Sequence, residues 1–465
     1  MTKDSPATIV HVHVHGAGTS AALSMLALML ALMLALVLAV SLCVNPIPLA
    51  AQQATSDTVH TRLGAVYARA DRDNPRIAAA AALADAVRAR APGARRPPDP
   101  QLQLGLMNRE LPGFAEMDPL GMTQVQVMQM LPTPGKLGFA GDAADARATA
   151  ARERATEMRW EIRRLVAAAF YDVYRTERAL TIALATRRLM EDVAATVDAM
   201  YRVGETAQAD VLKARVAVAR MDEEIIAMRA MRLAQLARLS GLLDQPVDST
   251  MPSVVLPVFP DSLGAIDSLT RHAADDRPMV RAGRAELAAA ESDIRLARRE
   301  IWPDLQLGVQ YGQRAGMGGV ERMASLMVGA SLPVFAGSRQ LRMRDEAEAM
   351  RAMTAADLGA MRAETRAQVG EWHVEWQRAR NLQTLYRSTV LPQARATVTA
   401  SLAAYRVGRT NLMTVLDDQM TVNRYEQELA ALEAAEGMAL AELEMLLGRE
   451  LFDPHSSRPS SGGNR

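Results

Sequence analysis

Two groups of residues in this chain have the types of side chain that bind metal ions. Histidines alternate along residues 11–15, so they would share one side of an extended segment, and imidazole is a common zinc ligand. They precede a long apolar run and belong to a segment that we expect to be removed or never translated. In the second group, a helix would place Glu371 and Glu375 on one face and His373 away from it. Neither group predicts a metal site.

Methionine is the other soft ligand that this sequence offers, with 28 copies. Thioethers bind copper and silver, but methionine at helical spacing more often fills a core, so we do not predict ligation. A phosphate-binding glycine loop, a nucleophile elbow and zinc-ligand spacing are all missing from the sequence. We therefore predict a protein that is not an enzyme and that has no cofactor and no metal.

The composition favours long helices over a compact α/β domain. The chain has 465 residues, of which 49% are hydrophobic but only 4% are aromatic, and Ala, Leu, Met, Arg and Glu are abundant. Lys and Arg number 53, as do Asp and Glu. Because the net charge is zero, we predict no nucleic-acid partner.

Residues 1–51 form a separate export segment. Residues 21–44 are apolar throughout, and small residues follow near Gln52, as at a signal cleavage site. An uncleaved anchor, or translation from Met25 or Met29, would also fit this pattern. Cys43 is the only cysteine and lies where a lipid-modified cysteine would be, but the large Leu42 before it argues against lipidation.

A duplicated unit of about 200 residues organises the rest of the chain. Tyr-Arg-Val-Gly begins at Tyr201 and again at Tyr405, 204 residues later. Leu-Gln-Leu-Gly at Leu102 recurs at Leu305, and the Leu-Pro pair at Leu131 recurs at Leu332. The sequence predicts a first repeat over 52–270, a second over 271–452 and a disordered tail over 453–465.

Long helices alternate with four short strands, of which each repeat contains two. Pro and Gly are absent from 142–201 and from 207–239, and apolar residues recur there at helical spacing. Residues 102–106, 124–130, 305–311 and 326–332 alternate with a period of two, although 124–130 changes phase at Met128. The equivalent long helix of the second repeat contains Pro392, so we expect a break there.

In its order of elements the chain resembles the TolC-type outer-membrane efflux proteins over residues 74–451. The resemblance implies a mainly α fold with a small transmembrane β-barrel. Each subunit of a homotrimer would contribute four strands to a twelve-stranded barrel in outer-membrane lipid, and the helices would continue as a periplasmic tunnel. It also implies a periplasmic adaptor and an inner-membrane pump as partners.

The same resemblance places adaptor contacts at two helical tips. Their residues are Arg202, Val203, Gly204 and Thr206 in the first repeat, and Arg406, Val407, Gly408 and Thr410 in the second. Glycine suits the left-handed turn that reverses such a chain, so a plain turn would also explain both motifs.

A periplasmic constriction is the remaining site that the resemblance implies. Asp417 matches one acidic position of the family, whereas Thr414 stands where the family has a second aspartate. Asp210 occupies the corresponding turn of the first repeat. Three Asp417 carboxylates around a trimer axis would attract cations, although ordinary solvated helix acids would look the same in sequence.

We therefore predict a passive outer-membrane exit duct of a tripartite efflux or secretion system. Residues 129–136 resemble the heavy-metal branch of the family, and the cargo stays open between metal cations and small organic molecules. The alternative is a periplasmic coiled-coil adaptor or scaffold. A duct needs all four alternating segments to face lipid, and an adaptor does not.

Overall fold

The computed structural model describes residues 61–113, 121–248, 251–316 and 318–457. The export segment, Cys43 and the histidines of segment 11–15 lie outside these ranges. Helices and strands follow in the order β1 (Thr61–Arg62), α1 (Leu63–Asp73), α2 (Pro75–Ala94), β2 (Gln101–Met107), β3 (Met122–Leu131), α3 (Lys136–Arg202), α4 (Gln208–Leu242), β4 (Val254–Val255), α5 (Ile266–Asp276), α6 (Pro278–Arg299), β5 (Leu305–Gly316), β6 (Gly319–Ala330), α7 (Gln340–Leu385), a π-helical turn (Tyr386–Val390), α8 (Leu391–Arg406) and α9 (Leu412–Leu447).

The long uninterrupted helix predicted in the first repeat is α3. It has 67 residues and a length of about 100 Å at 1.5 Å per residue. It begins after Gly135, a left-handed residue with a φ of 98°, and it ends before Gly204. Its apolar stripe contains Ile162, Val166 and Phe170, all fully buried. This confirms the helical interpretation of the repeating apolar pattern.

The four alternating segments form one antiparallel sheet in the order β2-β3-β5-β6. Strand β3 pairs without interruption on both sides, for example Val127 with Leu102 and with Val309. The phase change expected at Met128 is therefore a change of side-chain type rather than of register. In this chain β2 and β6 are the two edge strands.

Pro392 does not end the helix of the second repeat. Between α7 and α8 the backbone forms a π-helical turn, in which the Leu391 N–H donates to the Tyr386 carbonyl five residues earlier. Proline lacks an N–H and its ring collides with the carbonyl four residues back, and one wider turn relieves both problems. The hydrogen-bond pattern changes near Pro392, but the backbone keeps helical dihedral angles through Val390 and Leu391.

The largest buried cluster joins the two repeats around α3 and α9. Tyr67, Phe170, Tyr171 and Leu440 are each no more than 2% exposed there. Helix α9 approaches α3 closely because residue 437 is glycine, and the Tyr171 ring occupies the space that a β-carbon would take. The core therefore depends on contacts between residues far apart in sequence.

A buried ion pair fixes the start of α6 against α3. Arg277 donates to Glu157 from Nη2 at 2.6 Å and from Nε at 2.8 Å, and the Met279 N–H donates to Glu157 Oε2 at 3.2 Å. The carboxylate thus serves as the N-terminal cap of α6. Its side chain is only 6% exposed.

The beginning of the predicted disordered tail is docked on the body of the molecule. The Pro454 carbonyl accepts from the Gly64 N–H at 2.9 Å, and the Ser456 hydroxyl accepts from the Val258 N–H at 3.0 Å. Pro454 is buried. The prediction of disorder was wrong for residues 453–457, because a polar composition does not show which residues form tertiary hydrogen bonds. Residues 458–465 lie outside the described ranges.

Candidate functional site

The first helical tip is a tight reversal between α3 and α4. Gly204 has a φ of 80°, its N–H donates to the Tyr201 carbonyl at 3.0 Å, and the Glu205 N–H donates to the Met200 carbonyl at 2.9 Å. These two bonds are the Schellman pattern that closes a helix with a left-handed residue. Glycine is required here because a β-carbon would strain the left-handed backbone.

The second tip repeats this geometry between α8 and α9. Gly408 has a φ of 68°, its N–H donates to the Tyr405 carbonyl at 2.9 Å, and the Arg409 N–H donates to the Ala404 carbonyl at 2.9 Å. Asn411 then caps α9 by accepting from the Thr414 N–H at 3.0 Å. The sequence repeat is therefore also a repeat of hydrogen bonds.

The two tips lie side by side on one apolar cluster. The Thr206 and Tyr405 hydroxyls are 3.4 Å apart, and Val197, Val211 and Leu412 are buried beneath them. The list of buried residues shared by the two hairpins is completed by Met190, Ala214, Met221, Tyr405, Val415 and Leu416. The structure thus brings the motifs of both repeats to the same end of the bundle.

The exposed side chains at this end include one valine and one arginine of each tip motif, together with Glu205 and Arg409. Val203 is 71% exposed and Val407 is 68% exposed. Arg406 is exposed, and Arg202, also exposed, pairs with Asp198 at 2.5 Å. Thr410 is partly exposed. Together they offer a partner two small apolar side chains bordered by charged residues of both signs.

The three residues predicted for a constriction have different surroundings. Asp210 accepts from the Thr206 hydroxyl at 3.0 Å and lies 3.4 Å from the Lys213 ammonium, so its charge is used within its own hairpin. The Thr414 hydroxyl donates to Asn411 Oδ1 at 3.2 Å and belongs to the cap of α9. Asp417 is exposed, one turn further along α9.

Asp417 also borders a groove between α4 and α9 that the sequence did not reveal. The groove has a volume of about 300 Å³. Its walls contain Leu212, Val216, Lys213, Arg220, Met413 and Met420. Leu212 and Val216 are more than half exposed and lie four residues apart, on the helix face opposite to the buried Val211 and Ala214. A second apolar stripe on α4 was the signal that could have predicted it.

The two faces of the sheet differ in chemistry. Side chains directly opposite on neighbouring strands share a face, and one face carries Leu104, Val125, Val309 and Leu326, which are all exposed in this chain. The other face carries glutamine, glycine, serine and methionine; its Gln124 and Gln310 side chains are hydrogen bonded across strands. An exposed apolar face of this extent indicates a surface that contacts lipid or another protein rather than water.

A buried lysine joins this sheet to the helices. The Lys136 ammonium lies 2.9 Å from Asp304 Oδ1 and 3.3 Å from Glu300 Oε2, and the Thr133 N–H donates to the same Asp304 oxygen at 2.8 Å. Burial opposes ionisation of Asp304, but these bonds outweigh it and hold its pKa below the usual range. The sequence repeat could not indicate this contact because the second repeat has no equivalent lysine.

The metal-ligand types discounted in the sequence remain apart in the structure. His373 is buried beside Trp376, which lowers its pKa by desolvation, while Glu375 pairs with Arg378 at 2.5 Å. Within the described residues, no three His, Cys, Asp or Glu side chains form a group that could hold a metal ion.

None of the helices in the described ranges combines the length and the apolar character that crossing a bilayer requires.

Comparison with known proteins gives one family. The family model of the outer membrane efflux proteins matches residues 66–245 and 269–449. A curated relative, the pyoverdine export outer membrane protein OpmQ of Pseudomonas putida, is 26% identical over 283 residues. That match covers 58% of this chain and 58% of the relative, so the chain aligns with less than two thirds of the relative's length.

Solved structures of similar fold extend over most of the chain. CusC matches with a TM-score of 0.73 and 18% identity, covering 84% of this chain and 93% of that chain. The outer membrane protein VceC of Vibrio cholerae matches with a TM-score of 0.71 and 18% identity, covering 83% and 96%. At such identities the comparison shows a shared fold.

Proposed function

This chain belongs to the outer membrane efflux protein family, and we propose that it is the passive exit duct of a tripartite efflux system, conducting small solutes from the periplasm to the exterior. The observation that carries this proposal is the four-stranded sheet. It exposes an apolar face and has two unpaired edges, β2 and β6. Strand edges left open in lipid are too costly, so the sheet must close with other copies.

A homotrimer would pair the edge strands β2 and β6 of each copy with those of its neighbours. Twelve strands would close a barrel whose apolar face meets outer-membrane lipid and whose glutamine-rich face meets water. The long helices would then continue the duct into the periplasm. The family match favours this duct over the adaptor or scaffold that the sequence left as an alternative.

The tips are the proposed contact with a periplasmic adaptor. Val203 and Val407 are exposed knobs at the end of the bundle, and the Schellman turns hold them rigidly. A rigid apolar residue loses little conformational entropy on binding, which makes it an effective anchor. The adaptor would bring the inner-membrane pump that supplies the energy.

We propose that Asp417 of each subunit contributes to a ring of negative charge at the periplasmic end of the duct. Its carboxylate is exposed, whereas that of Asp210 is already engaged by Thr206 and Lys213. In a trimer three Asp417 side chains would face one another and favour cations. Cargo is proposed as small solutes, either metal cations or organic molecules; the curated relative is named for export of pyoverdine.

Conductance in a planar lipid bilayer tests this function directly. The purified protein should give discrete channels that select cations, and Asp417→Ala should lower the cation-to-anion permeability ratio. Asp210→Ala is the matched control on the other repeat and should leave that ratio unchanged. Protein that inserts into the bilayer without conducting would overturn the duct, and equal effects of the two variants would overturn the assignment of Asp417.

A further inference from the structure

Methionine is confined to one face of the four-stranded sheet. Directly paired residues share a face, and the pairings of Met107 with Met122 and of Gly308 with both Met128 and Met327 put these methionines on the glutamine-rich face. The methionines of the described strands, all on that face, are Met107, Met122, Met128, Met130, Met323 and Met327. The apolar face is built mainly from leucine and valine, so hydrophobic character alone does not explain where methionine occurs.

Two of these methionines meet above a glycine of β5. A β-carbon at Gly308 would lie 3.2 Å from Met327 Cε and 3.4 Å from Met128 Cγ, so side chains from both neighbouring strands occupy the space above this residue. Gly308 is buried although it lies on the surface of the sheet. A larger residue at position 308 would fill the space that the two thioether side chains share.

A similar arrangement recurs four residues further along β5, at Gly312. This glycine is also buried, and it pairs with Met122 on one side and with Met323 on the other. A β-carbon there would lie 2.9 Å from Met122 Sδ. Four residues of a strand span about 13 Å. The glutamine-rich face thus carries two pairs of methionines, each flanking a buried glycine, one after the other along the strands.

The filling of a hydrophobic core does not account for methionine on this face. Its other residues are mainly glutamine and glycine, and the Gln124 and Gln310 side chains are hydrogen bonded across the strands. The phase change of segment 124–130 has the same origin, because Met128 and Met130 lie on the glutamine-rich face while Gln129 lies on the apolar face. A thioether on a face that meets water is accessible as a ligand.

We propose that Met128 and Met327 bind a soft monovalent cation, Cu⁺ or Ag⁺, between their sulfur atoms. Met122 and Met323 form a second such site further along the sheet. Thioethers select these ions because both the sulfur atom and the ion are polarisable. The inference rests on the proposed function, in which the glutamine-rich face lines the lumen of the duct, and it narrows the cargo to soft metal cations.

The rest of the face suits a passing metal ion better than an organic molecule. Along the described strands its charged residues are Arg314 and Glu321, which pair at 2.6 Å, so the thioethers act in neutral surroundings. The same strands place no aromatic side chain on this face, whereas pockets for organic molecules are lined by apolar and aromatic groups. Two successive sites with neutral ligands would let an ion bind and still leave, as conduction requires.

Silver binding to the detergent-solubilised protein tests the site. Cys43→Ser provides a thiol-free background, and nitrate buffer is used because chloride precipitates Ag⁺. In equilibrium dialysis, Met128→Leu with Met327→Leu should weaken the tightest Ag⁺ binding by about tenfold or more, because both sulfur atoms are lost. Leucine keeps the side-chain volume, so the fold is retained. The matched control, Met231→Leu with Met350→Leu, removes two exposed thioethers of α4 and α7 and should leave that affinity unchanged.

Gly308→Val separates the effect of a methionine pair from the number of thioethers in the chain. The substitution keeps every sulfur atom but fills the space that Met128 and Met327 share, so it should also weaken Ag⁺ binding. Excess Mg²⁺ should not displace Ag⁺, because Mg²⁺ prefers oxygen ligands. Unchanged affinity in Gly308→Val or in the double leucine variant, or displacement of Ag⁺ by Mg²⁺, would overturn the site.

Conductance distinguishes a failure of this site from a failure of the duct. In a planar bilayer in potassium nitrate, wild-type channels should show reversible current blocks when Ag⁺ is added, and Met128→Leu with Met327→Leu should shorten them. Channels that conduct K⁺ without Ag⁺ blocks would overturn the methionine site and leave the duct in place. Protein that binds Ag⁺ through these methionines but does not conduct would overturn the duct and leave the metal site.

Discussion

Glu444 provides a pH-dependent test of how tightly the two repeats are packed together. Its side chain is buried in α9, and Oε1 accepts from the Leu451 N–H at 2.7 Å. Burial raises the pKa of Glu444 from an ordinary value of 4.5 to about 7, against the stabilising effect of that hydrogen bond. The folded protein therefore binds this proton more tightly than the unfolded chain does.

The sign of the effect follows from that difference. A raised carboxyl pKa contributes stability below about pH 4.5, and this contribution is lost as the pH rises toward about 7. A difference of about 2.5 pH units corresponds to about 3 kcal/mol per subunit. Glu444→Gln removes the charge and keeps an acceptor for the Leu451 N–H, so it should make the protein more stable at pH 8 and change it little at pH 5.

Urea unfolding of the detergent-solubilised protein, followed by tryptophan fluorescence at pH 5 and pH 8, measures this effect. The wild type should lose more stability than Glu444→Gln between the two pH values. Glu371→Gln replaces an exposed carboxylate and is the matched control. An equal change in stability with pH for wild type and Glu444→Gln, or a less stable variant at pH 8, would contradict a raised pKa of Glu444.

Three further substitutions test other parts of the structure. Glu157→Ala removes the carboxylate partner of Arg277, whose side chain is 14% exposed, and should lower the unfolding free energy by about 3 kcal/mol in the same urea assay; a loss below about 1 kcal/mol would contradict a stabilising pair. Gly437→Ala forces a β-carbon into the Tyr171 ring and should cost about 1–3 kcal/mol, while Gly359→Ala, with open space at its β-carbon, should not destabilise the protein. Gly408→Val strains the left-handed turn of the second tip and should lower efflux in a deletion strain at unchanged membrane levels; full efflux would argue against a rigid tip.

The elements with a clear period were predictable from sequence. The four strands and the long helix α3 were confirmed because alternation and helical spacing reflect which side of an element is buried. The family was confirmed by the family match, since the order of two duplicated sets of motifs is specific even where each motif is weak. Domain boundaries, tip contacts and the constriction stay predictions.

Tertiary contacts were not predictable in the same way. Lys136 belongs to no motif in the sequence, and its burial beside Asp304 depends on the approach of residues more than 160 positions away. Helix α1 was not predicted because its sequence pattern is short. The pairing of β1 with β4 involves only two residues on each strand, too few to show a period of two. The groove beside Asp417 was not predicted because apolar residues at helical spacing in α4 indicate a buried side, whereas Leu212 and Val216 form a second, exposed one.

The mass of the protein extracted by detergent from urea-washed outer membranes tests most directly whether this chain forms a trimeric duct there. The protein should stay in the outer membrane after urea, and its extracted mass should be three times that of the mature chain. Release by urea, location in the inner membrane, or a monomeric mass would contradict the trimeric duct.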